Sequence, residues 1–238
     1  MLKKNLITIV IPCYNERQNL PKLFNKINKF QKKNKNFSFI IVENGSTDKS
    51  YDLLKRLTKK TIKIDILKIK RNIGYGHGIY RGLIKAKKNS DFIGWTHADL
   101  QTDINDLYKI NKLIRKNKIF IKGFRNGRPK IDNFFSKGMS FFASKILGYE
   151  FVDINAQPSV FSTDLNLNEK KIPKNFMFDL YVYLQAQKQN FNIKRVKVFF
   201  HNRLYGKSKW NNGLYSLLKF IILNFYYIML FRNDNYRT

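Results

Sequence analysis

The 238-residue sequence predicts an α/β fold: a mostly parallel sheet flanked by helices, followed by a C-terminal amphipathic helix. Three observations carry this. Short β-branched runs alternate with amphipathic stretches of about 10–15 residues, the signature of strands joined by right-handed helical crossovers. The first run, residues 6–11, is apolar throughout, as expected of a strand covered on both faces. Each of the first four runs ends in polar or glycine-rich residues, where open α/β sheets bind ligands.

The elements follow in order. Residues 6–11 form the first strand; the run is too short for a leader and is followed by Asn15, Glu16 and Arg17 rather than a cleavage site. Leu20, Leu23, Phe24, Ile27 and Phe30 then recur at helical spacing, with Pro21 in the first turn. Residues 37–42 read as a second strand. Ser46, Thr47 and Asp48 supply capping side chains before a helix carrying Tyr51, Leu53, Leu54 and Leu57. Residues 62–67 are a third strand, 74–87 a glycine-opened helix, 92–95 a fourth strand, 103–114 a helix and 119–123 a fifth strand. Beyond Arg125 the rhythm changes. Residues 131–147 are aromatic-rich and helical, 151–161 an irregular strand, 176–186 a helix and 193–200 a half-exposed strand. Residues 1–211 are expected to form one domain.

Residues 212–238 hold the final apolar run. Leu214, Leu217, Leu218, Ile221, Ile222, Phe225 and Ile228 fall on one helical stripe. Eighteen residues, 214–231, reach about 27 Å, short of a ~30 Å hydrocarbon core, and Lys219 and Asn224 interrupt them. A helix lying in a membrane interface is the expectation. Packing on the domain and spanning are the alternatives.

Charge is lopsided: 46 Lys+Arg against 16 Asp+Glu, a formal +30. Nucleic acid, anionic membrane and phosphate-bearing substrates are the partner classes this suggests. Yet Lys outnumbers Arg 35 to 11 beside 27 Asn, the composition of an AT-rich genome, so part of the excess is compositional drift. The basic residues spread along the chain without a recognised nucleic-acid motif, and no nucleic-acid partner is expected. One cysteine, Cys13, excludes an internal disulfide and a cysteine-based zinc site, and reads as intracellular. The scarce acids are then the informative residues. Glu16, Glu43, Asp48, Asp99 and Asp103, five of the 16, sit at or near strand ends. Capping explains Asp48 and Asp103 well and Glu43 and Asp99 poorly. Gly74, Gly76 and Gly78 do not have dinucleotide-binding spacing, and no phosphate-loop motif is present.

The strand-end segments, IVIPCYNE, VENGSTD, NIGYGHG and THADLQTD in that order, closely resemble the family-2 glycosyltransferases of the GT-A fold. The subgroup they are most similar to is the dolichol-phosphate-mannose-synthase-like transferases. The resemblance runs from about Ile7 to Trp210. It implies a nucleotide-diphospho-sugar transferase, with a UDP- or GDP-sugar donor. By position, Pro12, Tyr14, Asn15 and Glu16 would border the nucleotide. Glu43 would contact base or ribose, with Asn44 and Gly74 beside it. His97, Ala98 and Asp99 stand where the family has Asp-x-Asp, the motif that holds a divalent cation (Mg²⁺ or Mn²⁺) against the diphosphate. Asp99 is the expected ligand, with Gln101 and His97 as candidates. His97 departs from the family pattern, which leaves open whether it ligates or contacts diphosphate.

The resemblance also places Arg125 and Arg128 in a basic segment beginning at Lys122, and Gln157 in a turn on the acceptor side. Asp179 falls where inverting relatives carry a catalytic acid residue. Arg203, Ser208 and Lys209 match a segment that closes on phosphates. Catalytic roles are thus implied for Asp99, Asp179 and Arg203. The implied acceptor is a polyprenyl phosphate or another cell-envelope glycan. The implied location is cytoplasmic, peripheral on the inner face of the plasma membrane. A hydroxyl acceptor in surface polysaccharide synthesis, a non-catalytic nucleotide-sugar binder and a nucleotidyltransferase are the alternatives.

Overall fold

The computed structural model describes residues 5–59, 63–114, 118–128, 130–205 and 214–235. β1 (Ile7–Cys13) lies inside a seven-stranded sheet, with β2 (Phe37–Asn44) and then β3 (Ile64–Ile69) on one side. On the other side come β4 (Phe92–Trp95), β6 (Ser159–Ser162), β5 (Ile119–Asn126) and β7 (Asn192–Phe199). β6 runs antiparallel to both neighbours; every other pairing is parallel.

Both faces of the sheet are covered, as a parallel sheet requires. Ile7, Ile9 and Ile11 of β1 point to one face, with Phe37, Phe39 and Ile41 of β2. α1 (Leu20–Lys33) lays Leu23, Phe24, Ile27 and Phe30 onto them, and α2 (Ser50–Thr58) adds Leu54. Val10, Val42, Trp95 and Phe120 point the other way, under α3 (Tyr75–Lys87) and α6 (Phe178–Lys188). Fully burying one such side chain contributes about 1.5–3 kcal/mol, so the two layers, more than local propensity, hold the strands in register. α6 is buried almost all round. That is why its sequence shows no clean stripe.

Two expected elements differ. The strand expected over 151–161 is confined to Ser159–Ser162. Upstream, Asp153 adopts a left-handed conformation (φ 45°) and its carboxylate accepts the Arg125 backbone N–H at 2.9 Å, which turns the chain away from the ladder. The helix expected over 103–114 begins as a 3₁₀ turn, Ile104–Asp106, capped by the Asp103 carboxylate on the Asn105 N–H at 3.0 Å; α4 (Leu107–Leu113) follows.

The glycines before and within α3 serve close approach. A Cβ on Gly74 (φ 140°) would lie 2.2 Å from the Lys174 carbonyl oxygen, and one on Gly76 would lie 2.3 Å from the Pro173 oxygen. The Gly76 N–H donates to the Lys174 carbonyl at 2.9 Å. The start of α3 is thereby seated on the segment that enters α6, which fixes the position of Asp179.

α5 (Lys130–Leu147) and α7 (Leu214–Asn235) pack together. Ile228 and Phe231 of α7 enter the core, and Phe220 stacks on Phe176 with ring centroids 4.9 Å apart. The stripe read from sequence therefore divides: Ile228 is buried, while Leu218, Ile221, Ile222 and Phe225 face outward. Among the described residues no helix is long and apolar enough to cross a membrane.

Candidate nucleotide and cation site

Parallel pairing brings the strand exits to one edge. Cys13 lies opposite Glu43, and Val10 opposite Trp95, so the loops after β1, β2 and β4 are neighbours. Glu43 is buried, and its carboxylate accepts the Ser46 N–H at 2.6 Å. The Asn15 N–H donates to Ser46 Oγ (3.1 Å), the Thr47 N–H to Asn15 Oδ1 (2.8 Å) and the Arg17 N–H to Asp48 Oδ2 (3.1 Å). Loops 14–17 and 45–48 are thus clasped, with Pro12 and Tyr14 half-buried at the exit of β1. Asn44 Nδ2 donates to the Gly74 carbonyl at 3.1 Å and ties β2 to the glycine loop. Burial pushes the Glu16 carboxyl up, against the hydrogen bond it accepts from Asn19.

The turn after β4 gathers a carboxylate, an amide and a guanidinium. Asp99 is buried, and its Oδ1 accepts the Gln101 N–H at 3.1 Å. Its Oδ2 lies 2.9 Å from Arg203 Nη2, and Arg203 Nε donates to Gln101 Oε1 at 3.1 Å. One guanidinium therefore bridges both side chains. The His201 N–H donates to the Gln101 carbonyl (2.8 Å), and Gln101 Nε2 to the His201 carbonyl (3.2 Å), which pins the segment after β7 to this turn. Two hard oxygens that converge on one positive group suit Mg²⁺ or Mn²⁺. Among the described residues no three His, Cys, Asp or Glu side chains gather, so an ion here would need phosphate oxygens to complete its shell. Ala98 is buried beside Asp99. His97 stacks on Tyr75 with centroids 6.1 Å apart; burial pushes its imidazole down, with Asp99 and Asp179 opposing.

Deeper in, Asp179 is buried at the start of α6. Its Oδ1 accepts Gln157 Nε2 at 2.7 Å and lies 3.7 Å from Lys122 Nζ. Gln157 Nε2 also reaches the Tyr75 hydroxyl at 3.2 Å. Burial pushes the Asp179 carboxyl up, and Lys122, His97, Tyr75 and Gln157 all oppose that shift.

Not every expected residue joins this group. Arg125 is committed to Asp153, with Nε 3.0 Å from Oδ1 and both side chains nearly buried. Arg128 Nη1 donates to Ser136 Oγ at 2.6 Å. Both guanidiniums lie over the Phe200 ring, at 5.4 and 5.5 Å, so each is held by its own structural partners. Ser208 and Lys209 lie outside the described residues. Sequence reasoning gave no role to Tyr75, and placed Lys122 only in a basic segment and not beside Asp179. Tyr75 stood inside a motif that was read for its glycines.

Comparison with known proteins supplies the family and the fold. The model of glycosyl transferase family 2 matches residues 8–183. The chain belongs to that family. It is 28% identical over 118 residues to a dolichyl-phosphate beta-glucosyltransferase of Dictyostelium discoideum, covering 46% of this chain and 36% of that protein. It is 29% identical over 124 residues to an undecaprenyl-phosphate 4-deoxy-4-formamido-L-arabinose transferase of Pseudomonas syringae, covering 51% and 36%. The chain spans less than half the length of these relatives. In fold it is similar to a mannosyltransferase of Pyrobaculum calidifontis solved with GDP-Man and Mn²⁺: TM-score 0.63, 13% identity, 86% of this chain and 59% of that one.

Arg203 bridges the two oxygens that a cation at this turn would use, so guanidinium and metal would compete for one place. Arg203→Ala should bind Mn²⁺ alone more tightly than the wild type, read from the loss of the free-ion EPR signal. Equal or weaker binding in the variant would show that the ion sits elsewhere.

Proposed function

We propose that this chain is an inverting glycosyltransferase. It moves a sugar from a UDP- or GDP-sugar to a polyprenyl-phosphate acceptor at the cytoplasmic face of a membrane. The observation that carries the reading is the pair of buried-edge oxygens, Asp99 Oδ2 and Gln101 Oε1, converging on one cation at the carboxyl end of a parallel sheet. The two lipid-phosphate transferases among its relatives support the acceptor class. The mannosyltransferase of similar fold, solved with a nucleotide sugar and Mn²⁺, supports the donor and the ion.

In this reading Glu43 and the clasped loops 14–17 and 45–48 bind the nucleoside end of the donor. Asp99 and Gln101 would hold a divalent cation, which supplies positive charge against the leaving diphosphate. Arg203, carried on the segment after β7, stays within reach of the same phosphates and stabilises the charge that builds on them. A phosphate acceptor is already an anion, so positioning counts for more than deprotonation. Asp179 then orients the sugar. A hydroxyl acceptor would need a base, and the upward-shifted Asp179 carboxyl is the observation favouring that second reading.

The membrane part rests on α7 and α5. Leu218, Ile221, Ile222 and Phe225 are exposed on α7, and Phe134, Phe141 and Phe142 on α5. Lys219 and Lys145 are exposed on the same two helices. Apolar side chains with interspersed cations complement an anionic lipid surface, where each cation contributes roughly 1 kcal/mol.

Two experiments test this. Purified protein should transfer labelled sugar from one of UDP-glucose or GDP-mannose to undecaprenyl phosphate with Mn²⁺, and not to a free polyprenol. Transfer to the polyprenol with none to the phosphate would install the hydroxyl reading. Separately, the protein should co-sediment with phosphatidylglycerol vesicles. The Ile222→Asn/Phe225→Asn double variant should bind them at least ~10-fold more weakly, given what two large apolar side chains contribute on burial. Unchanged sedimentation of the variant would remove α7 from the membrane.

A further inference from the structure

β5 carries a lysine where its neighbours are core. Ile119, Phe120 and Ile121 are buried, and Lys122 is 0% exposed. Removing an ammonium from water costs several kcal/mol, and a methionine of similar shape would fill the space without that cost. The sheet itself therefore gives no reason for a cation here. The contacts do. Lys122 Nζ donates to the Ala156 carbonyl at 3.0 Å and to Ser159 Oγ at 2.9 Å, and its third near neighbour is Asp179 Oδ1 at 3.7 Å. Two hydrogen bonds thus go to uncharged oxygens, and the third contact is an ion pair with the Asp179 carboxylate.

We propose that Lys122 is a positioning residue: its buried ammonium keeps Asp179 a carboxylate and fixes its orientation within the site. This rests on the reading of Asp179 as a group that acts on the sugar or the acceptor. Uncharged Ala156 and Ser159 could be bonded by a neutral side chain, so Asp179 is the one contact that demands a cation. The other groups facing Asp179 are Tyr75 on α3, His97 after β4 and Gln157 before β6, none with a permanent positive charge. Arg195 on β7, Arg125 on β5 and Asp153 face Lys122 itself. Burial pushes the lysine down to about 8 while Asp179 opposes it, so the ammonium form persists at neutral pH through this partner. Without it, a carboxylate this deeply buried would take up a proton. A neutral acid could neither accept a proton nor hold the sugar by charge.

The test uses the full chain with Lys122→Met, Asp179→Asn and the double variant, each first checked for native circular dichroism. With the nucleotide sugar that turns over on undecaprenyl phosphate and Mn²⁺, Asp179→Asn should lower kcat by ~10²-fold or more. Lys122→Met should lower kcat comparably while leaving binding of UDP or GDP intact. The double variant should be no worse than Asp179→Asn alone. A residue acting only on the fold would instead multiply its loss onto that of Asp179. A second readout needs no turnover. At neutral pH, infrared spectra of Lys122→Met, or of Lys122→Gln, should show the C=O stretch of a protonated carboxylic acid. That band should be absent from the wild type and from the double variant. If Asp179→Asn loses activity while Lys122→Met keeps it and shows no such band, Lys122 has no positioning role. If Asp179→Asn is fully active, the reading of Asp179 fails and the proposal goes with it.

Discussion

Parallel pairing of β1 with β2 and β4 is the constraint on which the rest depends. Parallel strands send all their carboxyl ends to one edge, and the fixed register places Cys13 against Glu43 and Val10 against Trp95. The loops that leave those strands then have no choice of neighbour. Glu43 closes its own turn on Ser46, Asn15 clasps Thr47, and the turn carrying Asp99 sits beside them. β7 pairs in parallel with β5. The segment leaving it reaches Gln101, so Arg203 arrives from the far side of the sheet onto Asp99. The candidate site is a consequence of strand direction, assembled from segments that reach from Asn15 to Arg203 along the chain.

Charge follows the same economy. Three carboxylates near the site, Asp99, Asp153 and Asp179, are each matched to one cation: Arg203, Arg125 and Lys122. Removing one partner of a buried pair leaves an uncompensated charge and costs about 3–5 kcal/mol. Only Arg203 has substantial exposure among the three cations, at 30%. It is the one of the three that solvent readily reaches. Among the described residues the other lysines lie mostly at the surface.

Much of this was legible in the sequence. The apolar runs of β1 and β2, the 3/4 spacing of Leu23, Phe24, Ile27 and Phe30, and the polar strand exits all express short-range periodicity. Asp99 stood out because acids are scarce and capping explained it poorly. What was not legible is long-range pairing. Lys122 reads only as the start of a basic segment until Asp179 is folded against it. Arg125 and Arg128 are expected in a phosphate-facing segment, and their bonds to Asp153 and Ser136 could not be read from the sequence. The strand over 151–161 failed for the same reason, since the turn at Asp153 is dictated by an arginine on another strand. The stripe on α7 was seen as one face, although α5 and α6 divide it between core and surface.

In the proposed function, the turn after β4 holds a divalent cation and a nucleoside diphosphate through Asp99. Calorimetric titration of UDP and GDP into the wild type and Asp99→Asn, with Mn²⁺ and again with EDTA, tests it most directly. The account predicts that one of the two nucleotides binds the wild type with Mn²⁺ and much more weakly with EDTA. It predicts no such difference in Asp99→Asn. Full metal-dependent binding in the variant would contradict it.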